Sequence, residues 1–535
     1  CYSACSDIKK NNRKSEHRMI AAESYSVLSG KLIDTPYPSE EFERAWKNVL
    51  FNQFHDIMGG CSIRPAYEQA IAQHGETQAI ADRNINFACQ QISWNIDTIG
   101  DIPLRPDKPG WGAGWSNEGV GTPIVVFNSH PWEVTAFVTV HDLPKRITDE
   151  NGALLPSQSV RAPRTNHRDK WEKGFLITIP ALGYRTLRAF YTGDEETLND
   201  SFVFTDCSVE NELIRLTFCP ETGELCGFTD KTNGKEYLSG HSSTVMIDET
   251  DSDTWAHGIK AFRKVAEVFR NGKIQIIERG PVRATVRTWQ YGENTIVRRD
   301  YSIITGSKSV IVNTKIDFHE RHRMLKFIIP SAVDDPEILC EIPFGSIKRP
   351  ADGSEQVCHR WFAAVDSGRQ AGLAVLNDSS YSFSADASNL ELTVLRGAIW
   401  ADHYGERDEF CEYMEQGERE MTYALMPFES VGDTVRRSAE INQRPFAVLE
   451  TFHKGRLPQS YSGLSVSHDN IIVTAIKKHE DSDAVVLRAY ECEGKDTEVK
   501  FTLFGSSFKA FFGHNSVKTF IIEKDNIIET DFLED

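Results

Sequence analysis

Phe51 to Ile63 reads FNQFHDIMGGCSI. It ends a segment that starts behind Pro38-Ser39, a proline followed by a capping hydroxyl, and in which Phe42, Ala45, Trp46, Val49 and Leu50 recur at helical spacing. Gly59-Gly60 closes the pattern. At about 100° per residue, Phe42, Ala45, Trp46 and Val49 gather on one side of the wheel and His55 falls about 180° from Trp46. The spacing predicts one helix with an apolar packing face and a His55-Asp56 pair turned away from it at the C-terminal end. A histidine there is favourable simply as a partner of the helix dipole. It is also a candidate ligand for whatever packs outside the helix.

Helical sequence extends to both sides. Ser6 is placed to cap a first helix running toward Leu28, with Gly30 as its stop. Ser62 is placed to cap a third, with Pro65 in its first turn and Ala66, Ala70, Ile71, Ile80, Phe87 and Ile92 along it. Residues 1–100 therefore read as three antiparallel helices in a small bundle. DIPLRPDKPGWGAGWSNEGVGTP, Asp101 to Pro123, is rich in Gly and Pro, and a linker is set at residues 101–122. Beyond it the period changes to short β-branched and aromatic runs: IVVFN, AFVTVHDL, FLITIPALGYRTLRAFY. Thr222-Gly223 and Asn233-Gly234 supply hairpin turn chemistry, and a last cluster, NIIVTAIKKH, AVVLRAYE and VKFTLFG, predicts a terminal β unit. The β-rich units are set at 123–200, 201–440 and 441–535.

Composition narrows the function. At 535 residues the chain outgrows one core. A net charge of −19 argues against nucleic acid and anionic membrane partners, which need clustered Lys and Arg. No apolar run approaches the roughly 20 residues that cross a bilayer. The 11 cysteines are odd in number and lack CxxC spacing, so free thiols in a reducing, cytoplasmic setting are expected. CYSACSDIKKNNRKSEHRM shows no initiator Met and no basic-then-apolar signal, and enters helical sequence almost at once, which predicts a chain continuing a longer one.

FNQFHDIMGGCSI resembles the NQFHD-I-L-P-G-S-S-I signature of family 38 glycoside hydrolases, the retaining α-mannosidases. SDIKKNNRKSE, FNSHPWE, IPALGYRTL, VENELIRLTF, ETGELCGFTDKTNGKEYL, DFHERHRMLKFIIP, CEIPFGSIKRP, LTVLRG, QGEREMTYAL and VTAIKKHEDSDAVVLRAYE follow in the order that family shows, closest to its bacterial and cytosolic branch. The resemblance implies a multidomain α+β fold: a three-helix bundle, a small β-sandwich, a large antiparallel supersandwich and a terminal β domain. It makes His55 a ligand of a single catalytic zinc and Asp56 a carboxylate that binds sugar hydroxyls. It makes Arg396, at the close of LELTVLR, a sugar-binding guanidinium; the plain alternative is an edge-strand surface arginine. Retaining hydrolysis needs a nucleophilic and an acid/base carboxylate about 5–5.5 Å apart. In the family an N-terminal α/β domain carries both, with the remaining zinc ligands, and no such domain precedes Cys1. No catalytic residue is therefore assigned to these residues, and alone they are expected to bind zinc poorly and to be inactive. The substrate implied is a terminal α-mannoside or oligosaccharide. A mannosylglycerate-type hydrolase on the same scaffold and a non-catalytic carbohydrate-binding β module remain alternatives, and association with further copies of the chain stays open.

Smaller features have plain readings beside functional ones. Trp400, His403 and Tyr404 in GAIWADHYGERDEFCEYMEQGE shape outer sugar subsites or belong to a solvated insertion. In DFHERH, strand geometry puts Asp317, His319 and Arg321 on one face, a polar cluster, and His322 on the other. DETDSD, Asp248 to Asp253, reads as a solvated turn with Trp255 and His257 beyond it. Cys61 stands where the family signature has Ser.

Overall fold

The computed structural model describes residues 2–100, 121–141, 143–163, 170–193, 201–368, 371–403, 405–524 and 526–535. The linker stretch 101–120 and Tyr404 lie outside the described residues. The architecture is multidomain α+β and mostly antiparallel.

Three long helices form the first layer: α1 (Ser6–Ile33), α2 (Ser39–Asn52) and α4 (Arg64–Ser93), with a single turn, α3 (His55–Met58), between the last two. Their apolar stripes meet around Tyr25, Leu28, Phe42, Ala45, Ile85 and Ile92, and Val125, Phe127 and Tyr184 of the following sheet close the same core. Burying each large side chain of this kind is worth roughly 1.5–3 kcal/mol. The helix ends differ from expectation. α1 runs past Gly30 to Ile33, and Asp34 in the left-handed region (φ 60°) sends its N–H to the Gly30 carbonyl. Ser62 does not cap α4; Ile63 occupies that position without a side-chain cap. Ser6 lies inside the first turn of α1, and its Oγ donates to Glu415 Oε2 at 2.7 Å. On α4, Ile71 and Phe87 face solvent rather than the core.

The first β unit packs on the bundle. Its larger sheet contains Thr122–Asn128 and Gly183–Phe190, and it also takes Phe446–Leu449 and Ser460–Ser462, segments the sequence reading had placed in the terminal unit. Pairing with distant strands leaves no mark on local periodicity, so the chain order of the units hid it. Next comes the supersandwich. A nine-stranded sheet that includes Val310–Phe318 and Gly417–Phe428 faces a six-stranded sheet that includes Ser243–Asp248, Arg323–Pro330 and Asn389–Arg396. Phe218, Tyr301, Phe327, Phe362 and Leu392 are among the residues filling the core around these sheets. Gly223 and Gly234, at φ 68° and 75°, make the two expected turns. The terminal unit pairs Ile471–Lys478, Val485–Glu491, Val517–Glu523 and Asn526–Thr530 in one sheet and Leu464–Val466, Thr497–Leu503 and Ser506–Phe512 in another.

Candidate functional site

α2 ends at Asn52, before the His55-Asp56 pair. The Gln53 N–H reaches back to the Val49 and Leu50 carbonyls at 3.1 and 3.2 Å, and Phe54 then turns extended (φ −52°, ψ 138°). The Phe54 carbonyl accepts from the N–H groups of Ile57 and Met58, so His55 opens a new turn instead of closing the old helix. The expectation of one continuous helix is corrected: an extended residue resets the wheel. The outward direction survives, since the His55 side chain is 75% exposed. Its Nε2 is 3.6 Å from Asp56 Oδ1, and its ring lies 4.2 Å from that of Phe54, centroid to centroid.

This turn is held from α4 and α1. The Tyr67 hydroxyl, in the first turn of α4, lies 2.9 Å from the Asp56 carbonyl and 3.2 Å from that of Ile57, and accepts the Ser62 N–H at 3.1 Å. Gly60 is in the left-handed region (φ 79°), and a Cβ there would sit 2.1 Å from the Ala4 carbonyl oxygen, so only glycine fits. Cys61 is buried with Sγ 3.3 Å from the Gly59 carbonyl, and burial pushes its thiol up, as in a packed rather than a reactive cysteine. Lys9 lies buried below, its ammonium donating to the Ala4 carbonyl and lowered to about 8 by desolvation.

The supersandwich meets this corner through residues 397–416. Trp400 sets its ring 5.2 Å from Tyr67, Arg64 pairs with Glu412 at 3.0 Å, and Ser6 caps onto the Glu415 carboxylate. Ala398, Ile399, Met414 and Glu415 are buried, whereas His403 and residues 405–410 are exposed, so the solvated-insertion reading holds for the outer part of the loop and not for its ends. Farther along the same loop, His403 packs with Trp255 and His257, and the His257–His403 centroids are 5.0 Å apart. Asp253 bonds His257 Nδ1 at 2.5 Å.

Arg396 is not on an edge strand and not at the surface. Asn389–Arg396 lies between Arg323–Pro330 and Ser382–Asp386, and Arg396 is 0% exposed. The strand register shifts just before it: Leu325 faces Leu395 while Lys326 faces Thr393, so Val394 is bulged. Leu392, Val394 and Leu395 all join the core, and the extra residue turns Arg396 to the opposite side. There Nε donates to Glu249 Oε1 at 2.6 Å, and the remaining nitrogens reach the Thr254 carbonyl at 3.1 Å, the Asp253 carbonyl at 3.1 Å and Ser252 Oγ at 3.4 Å. Burial pushes the Glu249 carboxyl up against the pull of this guanidinium, and its Oε2 has no hydrogen-bond partner among the described residues. The solvated-turn reading of DETDSD holds at Thr250 and Asp251, which are exposed, and is corrected at its flanks: Glu249 and Ser252 are buried, and Asp248 is held far below the usual carboxylate range by Thr250, Lys264 and Arg323.

In DFHERH the strand ends at Phe318, and His322 is left-handed (φ 50°). Asp317 and His319 do pair at 2.9 Å, whereas Arg321 lies over Tyr413 and His322 Nε2 is 3.0 Å from the Tyr413 hydroxyl. Among the described residues no group of three or more His, Cys, Asp or Glu side chains is arranged to hold a metal ion. His55 and Asp56 offer one imidazole and one adjacent carboxylate, donors that suit zinc but do not complete a four-coordinate site. Two concavities of about 590 and 340 Å³ open elsewhere, the first lined by His468, Asp469 and Asp496, the second by Glu267, His319 and Arg323; neither includes His55, Asp56 or Arg396. The sequence reading passed over Tyr67, although it stands three residues before Ala70 on the buried stripe of α4, and Glu249, whose role depends on the bulge.

Comparisons with known proteins agree along the chain. The alpha mannosidase middle domain matches residues 1–92, the glycosyl hydrolases family 38 C-terminal domain residues 209–404, and the family 38 C-terminal beta sandwich domain residues 470–534. Alpha-mannosidase G of Dictyostelium discoideum is 23% identical over 94% of this chain and 47% of its own length; human alpha-mannosidase 2C1 is 25% identical over 93% and 44%. The chain thus spans about half the length of these relatives. The crystal structure of an alpha-mannosidase from Enterococcus faecalis V583 shares the fold, with a TM-score of 0.80 and 16% identity over 98% of this chain and 68% of that one. The chain belongs to glycosyl hydrolase family 38 and carries its middle, C-terminal and C-terminal β-sandwich domains.

Proposed function

We propose that this chain is part of a zinc-dependent, retaining α-mannosidase acting on terminal α-mannosides, with His55 as one zinc ligand and Asp56 as an acceptor for sugar hydroxyls. The nucleophilic and acid/base carboxylates and the other zinc ligands belong, on this reading, to an α/β domain outside these residues. The supporting observation is the exposure of His55 on a turn that is itself tied to two domains. Leu50, Phe51, Phe54 and Ile63 surround it in the sequence at 54–68% exposure, and apolar groups of that size in water support a covering partner. Zinc, when bound, supplies Lewis acidity toward vicinal hydroxyls. Arg396, its donors committed inside the chain, acts on the sugar face by fixing the segment from Glu249 to Thr254. The ten free cysteines among the described residues support a reducing, cytoplasmic setting. No described helix is long and apolar enough to cross a membrane.

The test uses the complete protein. His55→Ala is expected to remove zinc and aryl α-mannoside hydrolysis together. Retention of both would refute the proposal, and sugar binding that persists without any turnover in the parent protein would favour a binding module instead. Turnover of mannosylglycerate in preference to aryl α-mannosides would redirect the substrate to that conjugate.

A further inference from the structure

α3 has four residues, none of them buried, and no side-chain cap. A turn so short does not hold its own direction; four residues fall well below the length at which helices persist in water. Something else sets where His55 and Asp56 point. Among the described residues, every hydrogen bond from residues 54–62 to a side chain outside that segment ends on one atom, the Tyr67 hydroxyl. That hydroxyl takes an N–H from Ser62 and gives its proton to the carbonyls of Asp56 and Ile57, so it bridges the two ends of the turn.

Tyr67 is itself immobilised. It is 1% exposed and packs with Ala4, Cys5, Ile8, Ala70 and Met414. Its ring meets that of Trp400 at 5.2 Å, tilted by 41°. Trp400 belongs to the supersandwich loop, where its N–H donates to the Glu412 carbonyl at 3.1 Å and Ile399 bridges to Tyr413. A continuous path of packed groups therefore runs from the β-supersandwich through Trp400 and the Tyr67 ring to the backbone that carries His55 and Asp56. Burial pushes the Tyr67 phenol well above its ordinary value, so the hydroxyl keeps its proton throughout the neutral range.

We infer that Tyr67 is the positioning residue of the His55–Asp56 turn, with Trp400 transmitting the place of the supersandwich to it. This rests on the zinc reading above, and gives that reading a physical requirement: a ligand on an exposed one-turn helix is useful only if its backbone is fixed, and partners that orient metal ligands typically change affinity 10–100-fold when removed.

Tyr67→Phe keeps the ring and removes only the hydroxyl. Amide hydrogen exchange on the chain should rise roughly tenfold across residues 54–62 and stay unchanged in the middle of α1 and α4. In the complete protein, zinc affinity should fall 10–100-fold. The visible spectrum of the cobalt(II)-substituted form should change, a readout that general loss of stability would not move. Trp400→Leu should shift both in the same direction by less. Unchanged exchange in Tyr67→Phe overturns the clamp. Zinc affinity lost in His55→Ala but unchanged in Tyr67→Phe overturns the positioning alone. Zinc affinity unchanged in His55→Ala overturns the zinc reading and the positioning with it.

Discussion

His55 and Arg396 were both expected at one sugar site, and the structure treats them in opposite ways. His55 is 75% exposed, on a turn that follows an extended residue, with one carboxylate nearby. Arg396 is 0% exposed, central in its sheet, and bonded to Glu249 and to three groups of the segment 252–254. The difference separates two ways for a polar residue to serve a site. An exposed group keeps its donors and acceptors for a ligand and contributes little to stability. A buried charge shapes the site through the backbone it holds, and the fold depends on it.

The comparison is broken most directly at Arg396. Arg396→Met leaves Glu249 buried without its cation and is expected to cost about 3–5 kcal/mol in urea unfolding. Adding Glu249→Leu should recover much of that loss, and a single-variant cost below about 1 kcal/mol would place Arg396 beside His55 instead. Gly60→Ala comes next. A left-handed alanine costs roughly 1–2 kcal/mol, and its methyl would meet the Ala4 carbonyl oxygen, 2.1 Å from the ideal Cβ position. A total of about 2–4 kcal/mol is expected, and a neutral result would mean that the turn is free of Ala4.

The imidazoles sharpen the contrast. His74 is 0% exposed, its Nδ1 is 3.0 Å from Ser15 Oγ, and burial lowers it from 6.5 to about 4. The folded state holds the ring neutral, so between those values the unfolded chain binds more protons. Stability from this group is complete above about pH 6.5 and falls as the pH drops toward 4, by at most about 1.4 kcal/mol per pH unit. His74→Gln should flatten that part of the stability–pH curve, and an unchanged slope would assign the acid sensitivity to other groups. His55→Ala is expected to have the smallest effect, within about 0.5 kcal/mol at any pH in that range. A larger loss would show that the exposed ring is structural.

Local chemistry made much of this legible. Phe42, Ala45 and Val49 on α2, the glycines at 223 and 234, and the change from helical to alternating patterns after residue 121 are each decided by neighbours in sequence. Where the reading failed, a distant partner had intervened. Ser62 would have made a good cap, but α4 starts one residue later, with Ile63 at the cap position and the Ser62 N–H bonded to the Tyr67 hydroxyl. Arg396 read as a sugar-binding or edge-strand surface group because nothing local marks the two strands that flank its own or the bulge at Val394. The acidic run from Asp248 looked solvated because its cations, Arg323 and Arg396, lie about 75 and 150 residues away.

By itself the sequence determined the helical unit, the β-rich units after it and the family, because these follow from periodicity, turn residues and an ordered series of motifs. Tertiary structure alone decided that Phe446–Leu449 completes the first sheet, that Arg396 is buried against Glu249, and that Tyr67 and Trp400 hold the turn carrying His55. The physical reason is range. Backbone preference and amphipathic spacing act over a few residues, whereas burial of a charge and the register of a sheet depend on groups brought together only when the chain has folded.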